Sequence, residues 1–173
     1  MKKKHKITKY GHPILQKVLD PVPGVTPEIV ELSEEMIVCM HQHRGVGLAA
    51  NQIGLDMTLA VIEFEGTVLK LINPRIIEMS GTQRYEEGCL SIPGVNGDVT
   101  RARVVTIEYT TVEGNTVTET YEDHVARIIQ HEVDHLNGLM IVSHLSVAAK
   151  ALHKKTLKYL KGRTLDTLKG KRF

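Results

Sequence analysis

Apolar residues recur every three or four positions in the stretch that ends near residue 137, and they alternate with polar residues in several shorter stretches. The apolar positions on one helical face of that stretch are Val125, Ile128, Ile129, Val133 and Leu136. This period is typical of an amphipathic helix with one face in the core. Asn137-Gly138 follows, a pair that commonly ends helices. The pattern therefore predicts a half-buried helix that stops at about residue 137.

The rest of the pattern predicts two more helices and four strands. Thr26-Pro27-Glu28 is a typical helix start, and this helix would run to about His43. Another helix is predicted from about Val147 to Leu160, ended by Gly162. The expected strands are residues 58–64, 68–72, 104–109 and 116–121, the last two as a hairpin. These elements indicate an α+β fold, in which small antiparallel or mixed sheets pack around the central helix and a further helix lies at the C-terminal end.

The chain is 173 residues long with a mass of 19.3 kDa, and its sequence contains no linker or repeat. We therefore expect one domain over residues 1–173. The amino end is basic but lacks the apolar run of a secretory signal, and no stretch approaches the roughly 20 apolar residues of a membrane span. Two cysteines are too few to suggest a disulfide framework. These features favour a small cytoplasmic protein, and the lack of a long transit segment favours a bacterial over an organellar one.

The segment His131-Glu132-Val133-Asp134-His135 carries the most informative chemistry. Residues four apart lie on one helical face, so His131 and His135 can reach a single metal ion. Glu132 is turned about a quarter of the way round the helix, where it can act as a general base without binding the metal. Both histidines lie at the edge of the apolar face, where a metal would be shielded from bulk water. The alternative is a solvated helix face that carries two histidines by chance.

A zinc or iron site of this kind needs a third protein ligand. In the extended metalloprotease motif that ligand would fall at position 141, but Ile141 cannot bind a metal. The other common ligand is a downstream glutamate, and the chain has none after Glu132. His144, His153 and Asp166 remain downstream, the last two in a basic tail. An upstream ligand is therefore favoured.

Cys89 is the best upstream candidate, in the segment Glu87-Gly88-Cys89-Leu90-Ser91-Ile92-Pro93. Gly88 permits close approach of the backbone, and a thiolate would complete a Cys-His-His set. For Cys89 considered alone, the alternative is a buried thiol that binds no metal. Cys39 lies on an apolar helical stripe and is interpreted as a core residue.

A third segment, Gly45 to Gly54, is dominated by small residues and carries the amide of Gln52; taken alone, a tight turn between a helix and a strand explains it best. Together, however, the three segments resemble the peptide deformylases. The signature blocks of that family are G-x-G-L-A-A-x-Q, E-G-C-L-S and H-E-x-D-H, in this order. They occur here at Gly45–Gln52, Glu87–Ser91 and His131–His135. The similarity extends from about Tyr10 to Ser146, which is most of the chain.

This resemblance implies a hydrolase that removes the formyl group from the N-terminal formylmethionine of nascent polypeptides and releases formate. The implied metal ligands are Cys89, His131 and His135. Glu132 would be the general base. The side-chain amide of Gln52 and the backbone N–H of Leu90 would stabilise the oxyanion.

The resemblance also implies which ion is bound. A Cys-His-His site should hold Zn²⁺ more tightly than Fe²⁺ by the Irving–Williams order. The family nonetheless works with ferrous iron, so availability in the cell would decide which ion occupies the site. We expect Fe²⁺ in the cell, and Zn²⁺, Ni²⁺ or Co²⁺ in some purified samples.

The same resemblance gives the residues that would bind substrate, which are Gly45, Val46, Gly47, His124, Arg127 and Ile128. Val46, His124, Arg127 and Ile128 would line the pocket for the methionine side chain. Val46 and Ile128 are apolar, as is usual in the family. His124 and Arg127 are polar at positions where the family is usually apolar. We expect both polar side chains to reach solvent at the rim of the pocket, which would leave the preference for methionine intact.

The segment from Lys150 to Phe173 is strongly basic, with nine Lys or Arg residues and Asp166 as its single acid. A solvated helix face is the simpler interpretation of this pattern. The family resemblance also implies contact with ribosomal RNA through this end, near the place where formylated nascent chains emerge. The formal net charge of the whole chain is +2, which does not indicate general nucleic-acid binding.

Two alternatives belong to other functional classes. A metalloprotease is disfavoured, because neither of its usual third ligands is present. A non-catalytic relative that keeps the fold would be marked by the loss of Glu132 or Cys89, and both residues are present.

Overall fold

The computed structural model describes residues 5–170, which form four α-helices, seven strands and two short 3₁₀ helices. The α-helices are α1 (Pro27–Gln42), α2 (Asp123–Leu136), α3 (Ile141–His144) and α4 (Val147–Leu168). The strands are β1 (Gly47–Ala49), β2 (Leu59–Phe64), β3 (Thr67–Ser80), β4 (Gln83–Gly88), β5 (Asn96–Arg101), β6 (Val104–Thr110) and β7 (Thr116–Glu122). The 3₁₀ helices are Pro13–Gln16 and Ala50–Ile53.

The strands form two antiparallel sheets. Five of them lie in the order β1-β2-β3-β6-β7, and β4 and β5 form a separate pair. Burial alternates along β6, so Val105, Ile107 and Tyr109 face the core while their neighbours are only partly buried. β4 ends one residue before Cys89 and therefore brings this thiol to the end of the smaller sheet.

Helix α2 packs against the larger sheet and also contacts the smaller one. Its apolar face shares a core cluster with the larger sheet, which includes Ile62, Leu71, Ile107, Ile128, Ile129 and Val133. On its other side, Arg127 donates a hydrogen bond to the carbonyl oxygen of Val99 in β5, at 3.1 Å. The side chain of Gln130 accepts one from the N–H of Ala102, at 3.0 Å. The helix that the apolar pattern predicts is therefore the central element of the fold.

Most of the predicted elements are confirmed. Helices α1 and α2 and the hairpin of β6 and β7 begin and end within a few residues of their predicted limits, and the antiparallel sheets confirm the α+β fold. β3 is longer than predicted, because its second half pairs with β6 although the side chains there are mostly exposed. β1, β4, β5 and α3 are not among the predicted elements, since they are short or mostly polar.

The predicted end of the last helix is wrong. Helix α4 continues past Gly162 to Leu168. Gly162 has open space around it, and one glycine in an exposed helix costs about 1 kcal/mol, which is too little to end it. Within residues 5–170 no helix combines the length and the apolar character that a membrane crossing requires.

Candidate active site

Cys89, His131 and His135 come together between the end of β4 and helix α2. One ligand atom from each lies within 4.8 Å of the other two, and the described residues contain no other such group of His, Cys, Asp or Glu. The two histidines are one helical turn apart, with ring centroids separated by 5.0 Å. The Sγ atom of Cys89 is 3.2 Å from Nε2 of His135. A thiol and two imidazoles in this arrangement suit a single divalent transition-metal ion.

Glu87 holds His131 from the side away from the thiol. Its Oε2 lies 3.1 Å from Nδ1 of His131, which leaves Nε2 as the nitrogen that can bind a metal. Arg101 donates to both oxygens of Glu87, at 2.7 and 3.0 Å, and Arg127 donates to Oε1 as well. Burial opposes ionisation of Glu87, but the hydrogen bonds from His131 and Arg101 hold its pKa at about 2. Glu87 is therefore a carboxylate that fixes the ring of His131.

The electrostatics of the three residues favour a thiolate. Burial alone would raise the pKa of the Cys89 thiol, but His135 and His131 together lower this pKa well below its usual value. For His131, burial acts in the other direction and would lower the pKa. Hydrogen bonds with Cys89 and Glu87 outweigh burial and raise the pKa of His131 to about 10. A positive charge is thus favoured beside the sulfur. A divalent cation bound to the deprotonated ligands would meet the same preference.

Glu132 lies next to this group and does not belong to it. The side chain is 3% exposed, and its Oε2 has no hydrogen-bond partner among the described residues. Burial raises the pKa of Glu132, while the nearby His131 and His135 act in the opposite direction. Gly47 provides the space, because a Cβ at this position would come within 2.3 Å of Oε1 of Glu132. The carboxylate is therefore placed to exchange a proton in the cavity next to the cluster.

Gln52 faces the cluster from the 3₁₀ helix that follows β1. Its Oε1 accepts a hydrogen bond from the N–H of Ala49 at 2.8 Å, which turns Nε2 towards Sγ of Cys89 at 3.5 Å and Oγ of Ser91 at 3.4 Å. The neighbouring Asn51 donates to the backbone oxygen of His135 at 2.6 Å. The Gly45–Gly54 segment is therefore attached directly to α2, and its amide donor points into the site.

A groove of about 610 Å³ opens onto these residues. All six residues predicted to contact substrate line it, namely Gly45, Val46, Gly47, His124, Arg127 and Ile128. Cys89, Leu90, His131, Glu132 and Gln52 lie on its walls as well. Ile128 is buried, whereas Val46 is 45% exposed. The groove therefore combines a polar end at the cluster with apolar surface from Ile128, Val46, Phe64 and Leu90.

The rim expectation is correct for His124 and wrong for Arg127. The His124 ring is exposed and stacks on Phe64, with centroids 5.4 Å apart and an interplanar angle of 8°. Arg127 is only 5% exposed. Its guanidinium donates to Glu87 and to the carbonyl oxygens of Val99 and Gln83, at 3.1 and 3.0 Å. These acceptors offset the cost of burying the charge, so Arg127 does not reach solvent.

Sequence reasoning missed the ion-pair network behind His131. Arg101 connects Glu87 to Asp134, whose Oδ2 accepts from Nη1 at 2.8 Å. His144, which the sequence left open as a ligand, instead lies 2.8 Å from the same oxygen of Asp134. His153 similarly lies 2.7 Å from the backbone oxygen of Asn96. The only sequence signal for this network is that Glu87 and Asp134 stand inside the signature blocks.

Comparisons with known proteins identify similar chains. A family model described as polypeptide deformylase matches residues 4–151. A peptide deformylase from Carboxydothermus hydrogenoformans is 43% identical over 138 residues, which cover 80% of this chain and 91% of the relative. Another from Chlorobaculum parvum is 36% identical over 162 residues, with 90% and 87% covered.

Solved structures show the same similarity in three dimensions. The peptide deformylase from Thermus thermophilus superposes with a TM-score of 0.88 at 34% identity, covering 92% of this chain and 99% of that one. A peptide deformylase from Synechococcus elongatus in complex with actinonin has a TM-score of 0.83 at 33% identity, with 89% and 91% covered.

Proposed function

The chain belongs to the polypeptide deformylase family, and we propose that its reaction takes place at the cluster of Cys89, His131 and His135. The protein is a hydrolase that removes the N-formyl group from the formylmethionine of nascent polypeptides and releases formate. We place the reaction there because one thiol and two imidazoles lie close together beside a buried glutamate, at the end of one groove.

The cluster fits the divalent ion that the family requires. Cys89 Sγ and one ring nitrogen each of His131 and His135 would hold it. Such an ion would supply Lewis acidity to acidify water and to polarise the formyl carbonyl. We propose Fe²⁺ as the ion in the cell on the strength of the family resemblance. Because the donor set favours Zn²⁺ in affinity, purified protein would also contain zinc, nickel or cobalt where these are more available.

Glu132 would move the proton. Its buried carboxylate can take a proton from the attacking water and pass it to the departing amine. The unpartnered Oε2 supports this role, since an acceptor is available at the cavity wall. Burial raises the pKa of Glu132 and so helps the carboxylate to hold the proton between the two steps.

Gln52 and Leu90 would stabilise the charge that develops on the formyl oxygen. The Gln52 amide is oriented by the N–H of Ala49, and Leu90 directly follows the thiol. Neutral donors fixed before the reaction need no reorganisation during it, and one such donor is typically worth about 3 kcal/mol.

The substrate would bind along the groove. β1 is an edge strand of the larger sheet and begins at Gly47, so the backbone of Gly47 and of the two residues before it would pair with an extended peptide. The methionine side chain would lie against Ile128 and Val46. Since the terminal nitrogens of Arg127 are already held by three acceptors, its guanidinium would form part of the pocket floor beside Glu87.

We also propose a partner, a cellular location and a domain organisation for the enzyme. Helix α4 has no buried residue and carries many lysines, so its surface could contact ribosomal RNA, where formylated chains emerge. A cytoplasmic location and a single catalytic domain over residues 1–173 stay predictions as well.

Formate release from a formyl-Met tripeptide tests the placement directly. Protein purified without oxygen and analysed for metal should release formate in proportion to its iron content, while the acetyl-Met tripeptide serves as control substrate. If fully metallated protein released no formate above the buffer rate, the proposal would be wrong. Cleavage of an internal bond in an unformylated peptide would instead indicate a metalloprotease.

A further inference from the structure

Three consecutive residues near the amino end contact the two segments that carry the proposed oxyanion donors. The N–H of Thr8 donates to the backbone oxygen of Gln52 at 2.7 Å. The side-chain amine of Lys9 donates to the backbone oxygen of Leu90 at 2.8 Å. The N–H of Tyr10 donates to the backbone oxygen of Ser91 at 2.9 Å. Residues 8–10 therefore connect the Gln52 segment to the turn after Cys89.

These contacts restrain the direction of the Leu90 N–H. The backbone oxygen of Cys89 accepts from the N–H of Ile92 at 2.9 Å, so three successive carbonyls from residue 89 to residue 91 are held. In a planar trans peptide the N–H points opposite to the carbonyl of the preceding residue. Fixing the Cys89 carbonyl thus sets the Leu90 N–H, and fixing the next two carbonyls keeps the turn from rotating.

The two ends of the backbone bridge formed by residues 8–10 are anchored in separate parts of the core, at Ile7 just before it and at Tyr10, its last residue. Ile7 is buried in the cluster that contains Leu48 and Ile53. Tyr10 packs against the cluster that contains Ile92 and Val95. Of the three contacts, only that of Lys9 is made by a side chain, and it is a charge-assisted hydrogen bond. Lys9 is therefore the contact that a substitution can remove without breaking the backbone bridge.

We propose that Lys9 is a positioning residue for the reaction: its ammonium group holds the Leu90 turn so that the Leu90 N–H and the Gln52 amide converge on one oxygen. The proposal rests on the proposed function, because it assigns the oxyanion to these two donors. Lys9 does not contact substrate. It acts through a carbonyl that is 81 positions away in sequence.

The variant Lys9→Met removes the donor and keeps most of the side-chain volume, while Lys6→Met, at an exposed lysine on the same segment, is the matched control. Since a 1 Å misplacement can cost about a hundredfold in rate, we expect Lys9→Met to lower kcat by about tenfold to a hundredfold, with KM within about twofold. Lys9→Arg should recover part of this loss. Metal content should stay that of the wild type, and Lys6→Met should behave like the wild type throughout.

Two inhibitor classes separate positioning from a general loss of structure. A peptidyl hydroxamate places a carbonyl oxygen at the metal, whereas a peptidyl thiol binds the metal through sulfur and presents no such oxygen. Lys9→Met should weaken the hydroxamate by about tenfold and leave the thiol within about twofold. Equal weakening of both inhibitors, or an unchanged kcat, would overturn the proposal.

Two further measurements keep the outcome unambiguous. If Lys9→Met folds poorly, Lys9→Ala is judged by the same inhibitor ratio, because it also lacks a donor and a small side chain suits the half-buried position. Wild-type formate release and its loss in Gln52→Ala test the proposed function itself. An active wild type with a sensitive Gln52 and an indifferent Lys9 would therefore overturn only the role of Lys9.

Discussion

Helices α2 and α4 lie close together in sequence, but they differ in burial: α2 is mostly buried and α4 lies on the surface. Nine of the 14 residues of α2 are buried, and four of these nine are polar or charged. None of the 22 residues of α4 is buried, although Ala149, Leu157 and Leu160 pack partly against a core cluster. The family match follows the same division, since it ends at residue 151 and leaves most of α4 outside.

The comparison shows where substitutions should have large effects. Pairing and hydrogen bonding offset the cost of burying a charge, and Glu87 provides both for Arg127 and His131 on α2. These polar residues on α2 therefore depend on partners from β4 and β5. The lysines of α4 face solvent, so replacing them should break few contacts with the rest of the protein. Four experiments measure this difference, from the largest expected effect to the smallest.

The largest effect should come from Glu132 on α2. Glu132→Ala should lower kcat by about 10²–10⁴-fold, because it removes the proton carrier, while metal content stays near that of the wild type. Activity assays together with metal analysis measure both quantities. Cys89→Ser and His135→Ala are the comparison variants and should lose metal. If Glu132→Ala lost its metal as completely as these do, Glu132 would be a ligand and its assigned role would be wrong.

Next in size is the loss of Glu87, the partner of α2 in the smaller sheet. Glu87→Ala should lower the free energy of unfolding by about 3–5 kcal/mol, because it leaves Arg127 buried without a carboxylate and leaves Arg101 with Asp134 alone. It should also weaken metal binding by roughly 10–100-fold, since His131 loses its partner. Glu86→Ala, at the exposed neighbour, is the control in urea unfolding and metal titration. Similar stabilities of the two variants would mean that the network does not hold α2.

Substrate choice tests the buried state of Arg127. Formyl-Met and formyl-norleucine peptides should be processed at similar kcat/KM, and the formyl-Glu peptide about a hundredfold less well, because burying an unpaired carboxylate costs several kcal/mol. The reason is that both terminal nitrogens of the Arg127 guanidinium already donate to acceptors within the protein. A preference for formyl-Glu would show that Arg127 leaves Glu87 and enters the groove.

The sequence predicts helix α2 itself well, but it does not predict the contacts that hold α2 in place. The helical period locates the apolar face, and the motif spacing brings His131 and His135 to one side. The rim position expected for Arg127 is wrong, because its partner Glu87 is 40 residues away in a strand that the pattern does not reveal. β5 is mostly polar and exposed, with Val99 and Arg101 as its buried residues, so it forms through pairing with β4 and not through propensity.

The smallest effect should come from α4. Replacing Lys154, Lys155 and Lys158 with Gln should change the free energy of unfolding by less than about 0.5 kcal/mol per residue, because these side chains are exposed. Deformylation of a free tripeptide should stay at the wild-type rate. Co-sedimentation with ribosomes should fall and should depend more weakly on salt, because phosphate contacts are lost. Unchanged ribosome binding would favour the simpler interpretation of α4 as a solvated helix.

The long-range hydrogen bonds around the site also bear on how the protein folds. Asn51 reaches the backbone of His135 across 84 positions, and Lys9 reaches Leu90 across 81. We expect contacts between distant positions to form late, because the chain must lose the entropy of closing a large loop before such a contact can stabilise it. Helix α2 can begin to form locally, yet the thiol of Cys89 meets its histidines only when both sheets are in place. We therefore expect affinity for the metal to appear late in folding, so that its appearance in a refolding experiment would report completion of the native structure.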